Sequence, residues 1–240
     1  MSLNQQIERW LASRKKSFQS TNRPFTTLAY AQAWDGSITT CRGQAVALSC
    51  SESGQLTHQL RSLHDGILVG IETVLSDDPQ LTVREWTGKN PQPIILDSRL
   101  RMPPDSKLHD HPDKKCWLLT LEQGDGSESL KSLNHEIIRI RGHGHDFVPL
   151  LPALSLLREK GIESLMVEGG AKVITEFLRL GLADAIVMTM TPKLIGGYKA
   201  VGDIDIEDIS VAPLISPINF EKLGDDLIVW GDLNYSESVK

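Results

Sequence analysis

Short apolar runs alternating with helical patterns constrain this chain more than any other feature. GILVG (66–70), PIILD (93–97), CWLLTL (116–121), EIIRI (136–140) and the runs over 162–167 and 185–191 are short and continuously apolar, as buried strands are. A further strand is expected over 24–33, PFTTLAYAQA, ending at the turn signal Trp34-Asp35-Gly36. Helical spacing fills the gaps. One helix is expected over 51–64, with Ser51 or Ser53 as cap, and a short one over 72–79 stopped by Pro79. Two more are expected over 149–160, starting near Pro149 or Pro152, and over 172–180. Buried strands separated by helices imply an α/β fold with a mostly parallel sheet. The tail, NFEKLGDDLIVWGDL, breaks the alternation: it reads as an antiparallel hairpin turning at Gly224-Asp225-Asp226. Ahead of all this, residues 3–18 place Leu3, Ile7, Trp10, Leu11 and Phe18 near one helical face. The expected division is therefore a helical extension, 1–22, and a single domain, 23–240. Residues 122–135 read as a polar loop or a poorly packed helix.

Several function classes are disfavoured. The 240 residues carry a net charge of −6, which speaks against nucleic acid as the main partner. No apolar run approaches the ~18 residues of a membrane span, and the N-terminus has no secretory apolar core. Three scattered cysteines suit a reducing cytoplasm, and there is no C-x-x-C of the zinc deaminase signature.

The stretch VEGGAKVITEF, 167–177, puts an acid and two glycines where a strand hands over to a helix. A helix N-terminus offers unpaired N–H groups and partial positive charge, and glycine lets a phosphate approach the backbone. Gly169-Gly170-Ala171-Lys172 can thus hold a pyrophosphate, or can be only a tight turn; on its own the pair leaves both open. Glu168 suits gripping a polar ligand. Ser98-Arg99, after the strand PIILD, suits an adenosine 2′-phosphate, with a turn and an exposed arginine as the plain alternative. His109/His111 and His143/His145 are H-x-H pairs; both lie in loops rich in Gly, Pro and Asp, so solvated loops are expected and no metal.

The segments RPFTTLAYAQAWDGSI, LRSLHDGILVGIETVLSDDPQLTVR, QPIILDSRLRMP, SLMVEGGAKVITEFL and TPKLIGG occur in this order between Arg23 and Gly197. Together they resemble the reductase domain of riboflavin biosynthesis. The resemblance implies a dihydrofolate-reductase-like, three-layer α/β fold. It implies an NADPH-dependent reductase that converts the ribose of a 5-phosphoribosylamino-pyrimidine, deaminated or diamino, to a ribityl chain. That family is often fused to a zinc deaminase. None is expected in this chain, so a separate deaminase is the expected pathway partner, and a cytoplasmic homodimer is the expected form.

By the same resemblance Ala31, Thr73, Asp77, Ser98 and the segment from Gly170 to Glu176, Val173 included, line the dinucleotide site. Arg61, Leu81, Arg84 and Glu168 face substrate. Asp35 matches the family's Asp-Gly and is expected, with Glu168, among the catalytic residues. Two guanidiniums, Arg61 and Arg84, are expected to converge on the substrate's phosphate, since each binds bidentately. Asp78 is left as turn chemistry. Three positions depart from the family: Ala29, Ala45 and Ala47 stand where it has Lys, Ser and Trp. They keep two alternatives alive: a reductase for another pterin-like or nucleotide-like substrate, and a non-catalytic dinucleotide-binding protein.

Overall fold

Every buried apolar run becomes a strand of one sheet. In the computed structural model, which describes residues 1–20, 22–122, 134–142, 144 and 146–236, the strands are β1 (Phe25–Ala33), β2 (Ser37–Thr39), β3 (Gly66–Gly70), β4 (Gln92–Leu96), β5 (Cys116–Leu121), β6 (His135–Ile140), β7 (Ser164–Val167), β8 (Ala185–Thr191), β9 (Tyr198–Lys199), β10 (Leu214–Leu223) and β11 (Asp226–Asn234). The helices are α1 (Leu3–Ser17), α2 (Ser51–Ser62), α3 (Ile71–Asp77), α4 (Leu150–Glu159) and α5 (Ala171–Arg179). The main sheet has the order β10-β11-β8-β1-β7-β3-β4-β5-β6. Strands β8 through β6 in that order run parallel, and β10 and β11 add the antiparallel edge. The expected α/β class and C-terminal hairpin are both present. The short β2 and β9 form a separate antiparallel pair that the sequence pattern does not reveal, because neither is long enough to show a period.

Strand alternation sorts the core into layers. Leu28, Leu165 and Ile186 face one way and meet Leu154 and Leu157 of α4 and Ile174 and Phe177 of α5. Ala29, Met166 and Val187 face the other way and meet Leu56 and Leu60 of α2 and Leu3, Ile7 and Leu11 of α1. Burying a side chain such as Ile174 or Phe177 stabilises the fold by roughly 1.5–3 kcal/mol, so α5 is held by packing despite its short length. Helix α1 also has a Ser2–Gln5 capping box.

Two local expectations are corrected. Helix α2 starts after Cys50, with no side-chain cap from Ser51 or Ser53; Ser53 is buried. His109 and His111 are buried, not solvated: His109 Nε2 lies 3.0 Å from the Pro103 carbonyl, and His111 Nδ1 lies 3.3 Å from Asp113. They sit at a 3-10 turn, Lys107–Asp110, that folds back onto the sheet. His143 and His145 lie outside the described residues. Among the described residues no helix is long and apolar enough to cross a membrane.

Candidate active site

The strand order decides where a site can form. Strand β7 inserts between β1 and β3, so the loops leaving β7 and β3 diverge at the carboxyl ends of adjacent strands. Open α/β sheets bind ligands at such a reversal. Here it opens a cleft of about 2010 Å³, well beyond the size of a pocket for one small ligand, and so roomy enough for a dinucleotide and a second molecule.

One wall is the VEGG turn. Helix α5 begins at Gly170 with no side-chain cap, so its first amide groups are left for solvent or an anion. The two glycines do different jobs. A Cβ on Gly169 would stand 2.8 Å from Val173 Cβ, so Gly169 is there to let α5 pack. A Cβ on Gly170 would meet nothing nearer than Thr73 Oγ1 at 3.4 Å, and the residue has an ordinary φ of −70°. Gly170 is therefore bare on the cleft side without any backbone requirement. This is a cradle that a side chain would fill, and it fits a pyrophosphate. Thr73, Asp77, Ala31, Ala171, Lys172 and Val173 also line the cleft. Farther along, Ser98 and Arg99 line it beyond β4. Ser98 Oγ accepts the Val148 N–H at 3.0 Å, which leaves its own proton to donate. Arg101, Lys172 and the exposed Phe147 complete this rim, with Lys172 Nζ 5.7 Å from the Phe147 ring centroid.

The opposite wall carries Glu168. Alternation puts it on the α2 face with Met166, away from α5. Its carboxylate takes both faces of a bidentate pair with Arg61: Oε1 to Nη2 at 2.6 Å and Oε2 to Nε at 2.9 Å. The side chains are 9% and 25% exposed. Burial disfavours the Arg61 cation, and the Glu168 carboxylate more than offsets that, holding the arginine above its ordinary value. Arg61 Nη1 donates to the Thr82 carbonyl at 3.0 Å.

The expectation of two guanidiniums meeting on one phosphate is thereby corrected: Arg61 is bound to Glu168. Arg84 donates from Nη1 to Thr82 Oγ1 at 3.0 Å and has no carboxylate partner among the described residues. Leu81, buried with a left-handed φ of 54°, lines the cleft between them. Ala29, Ala45 and Ala47 line it as well and make that section apolar.

Asp35 is the one expected site residue outside the cleft. Its carboxylate is used up in the β1–β2 turn, accepting from Ser37 Oγ at 2.9 Å, the Gly196 N–H at 2.7 Å and Lys199 Nζ at 3.0 Å. Asp78 is likewise structural: it ends α3 in a left-handed conformation and accepts the Lys107 N–H at 2.9 Å. His58, buried beside Arg61 and Arg84, was not readable as a site residue, because nothing in the spacing of α2 marks it. Among the described residues no group of three or more His, Cys, Asp or Glu side chains is arranged to hold a metal.

A family model described as the RibD C-terminal domain matches residues 24–229. The riboflavin biosynthesis protein RibD of Aquifex aeolicus is 34% identical over 215 residues, 89% of this chain. The chain spans 59% of that relative's length. A second Aquifex aeolicus protein, 2,5-diamino-6-ribosylamino-4(3H)-pyrimidinone 5′-phosphate reductase, is 36% identical over 181 residues, 73% of this chain and 80% of the relative. The solved structure of the riboflavin biosynthesis reductase of Saccharomyces cerevisiae matches with a TM-score of 0.75 at 26% identity, covering 95% of this chain and 99% of that one. The dihydrofolate reductase of Enterococcus faecalis matches in fold alone, with a TM-score of 0.50 at 13% identity, over 87% of this chain and 96% of that one.

Proposed function

The chain belongs to the RibD C-terminal domain family, and we propose that it is an NADPH-dependent reductase converting the ribose of a 5-phosphoribosylamino-pyrimidine to a ribityl chain in riboflavin biosynthesis. The observation that carries this reading is the cleft at the β7 strand end. It sets an uncapped helix N-terminus with a bare glycine opposite a half-buried carboxylate bound to a buried arginine.

A reduced nicotinamide, when bound, supplies the hydride. This chain supplies position and polarity. Gly170 and the first amides of α5 hold the pyrophosphate, and Ser98 and Arg99 meet the adenosine 2′-phosphate, which makes the cofactor NADPH. Arg84 anchors the substrate's phosphate. Glu168, already oriented by Arg61, accepts N–H groups of the pyrimidine through its remaining lone pairs. Wall residues such as Leu81 and Val187 keep that end dry, which strengthens each polar contact.

The partner reading is a second copy of the chain. Strand β10 is the sheet's edge and exposes Leu214, Ile218 and Phe220. An apolar unpaired edge of this kind is a template for strand pairing. A separate deaminase in the same pathway is the second expected partner.

The test is loss of nicotinamide absorbance with purified protein and each phosphorylated pyrimidine, deaminated and diamino, in turn. Turnover with either supports the reading. Tight NADPH binding with no turnover of either would favour a different substrate, in keeping with the apolar section at Ala29, Ala45 and Ala47.

A further inference from the structure

The segment that carries Arg84 is strained and is held at three consecutive residues. Two non-glycine residues, Asp78 and Leu81, have φ of 40° and 54°. Such backbone persists only where the surroundings hold it. The Thr82 carbonyl accepts from Arg61 Nη1 at 3.0 Å, the Val83 N–H donates to Asn90 Oδ1 at 2.7 Å, and the Arg84 N–H donates to His58 Nδ1 at 3.2 Å. His58 lies on α2 one turn before Arg61, is buried, and lines the cleft.

His58 Nδ1 is also 3.0 Å from the Thr82 carbonyl oxygen. One ring nitrogen cannot accept from the amide and donate to the carbonyl together. The carbonyl already has Arg61 as donor, whereas the amide has only Nδ1 as acceptor among the described residues. The tautomer that pairs the Arg84 amide carries its proton on Nε2 and keeps Nδ1 as acceptor. Burial, Arg61 and Arg84 lower the His58 pKa against the opposing pull of Glu85 and the Thr82 carbonyl, which keeps the ring neutral and that lone pair available.

We propose that His58 is a positioning residue: by accepting the Arg84 amide it sets the direction from which the Arg84 guanidinium meets the substrate's phosphate. This rests on the reductase reading above. The test compares wild type, His58→Leu and His58→Asn. The Asn amide oxygen can stand where Nδ1 stands, so Asn keeps the acceptor and Leu removes it. Three quantities are read: KM and kcat with the phosphorylated pyrimidine, NADPH affinity, and hydrogen exchange of the Arg84 amide without substrate, alongside a thermal melt.

Leu should raise KM roughly tenfold with kcat and NADPH affinity changed less than about twofold, and should speed Arg84 exchange roughly tenfold. Asn should return both KM and exchange to within about threefold of wild type. The proposal is overturned if Leu changes neither KM nor Arg84 exchange, if Asn is as damaging as Leu, or if the loss falls on kcat. Absence of turnover in wild type would sink the reductase reading instead. The exchange comparison then decides alone: equal Arg84 exchange in wild type and Leu overturns the role of His58.

Discussion

The two ends of the cleft are built in opposite ways. At the α2 end the buried charges are already matched: Glu168 holds Arg61 bidentately, and Arg61 holds the Thr82 carbonyl. At the α5 end the polar groups are left open. Helix α5 has no cap, Gly170 is bare, and Arg99 is exposed. Burial explains the difference. A desolvated cation left alone costs several kcal/mol, so it must be paired before any ligand arrives. Helix amides and exposed arginines can wait in water at little cost. One end is preorganised and the other is poised for an anion.

The sharpest way to break this contrast is to remove the acid. Glu168→Ala leaves the Arg61 guanidinium buried without its partner and should destabilise the fold by about 3 kcal/mol, the low end of the range because Glu168 keeps some solvent contact. The double variant Arg61→Met/Glu168→Met should regain most of that loss. Urea unfolding of the three proteins measures both numbers. A single variant within ~0.5 kcal/mol of wild type, a typical surface change, would mean the α2 end is not preorganised.

The paired glycines sharpen the contrast from the other side. Gly169→Ala forces a methyl against Val173 and should destabilise by roughly 1–3 kcal/mol. Gly170→Ala should stay within about 0.5 kcal/mol in stability, yet weaken NADPH binding roughly tenfold by occupying the cradle. Melting curves and cofactor titration on the same two proteins separate the roles; reversed roles would rule out the cradle.

The smallest effect is expected at the open rim. Arg99→Ala should leave stability unchanged and cut the preference for NADPH over NADH by roughly threefold to tenfold, about 1 kcal/mol. The effect should shrink as salt rises, because the site is exposed. An unchanged preference would move the 2′-phosphate elsewhere.

Much of this was legible in the chain itself. The runs at 66–70, 116–121 and 185–191 are strands with the bounds expected, because burial on both faces demands continuous apolar residues and neighbours in sequence supply that pattern. The hairpin at Gly224 and the helix after Gly170 were readable for the same local reason. The glycine pair was readable as a turn, but not as two different jobs, since Val173 and Thr73 are the contacts that tell Gly169 from Gly170.

Tertiary structure alone decided the charges. Arg61 and Glu168 are 107 residues apart and meet only because β7 inserts beside β3, which brings the end of one strand onto α2. No local pattern could say that Arg61 would bind Glu168 rather than join Arg84 on a shared phosphate, or that Arg84 would be the cation left over. Asp35 has the residue type of a catalytic acid, yet the β2–β9 pairing brings Lys199 and Gly196 to it and keeps it out of the cleft. Local order follows from burial and periodicity, which act between near neighbours. The partner of a polar group depends on which distant backbone the sheet register lays beside it, and that is a property of the assembled fold.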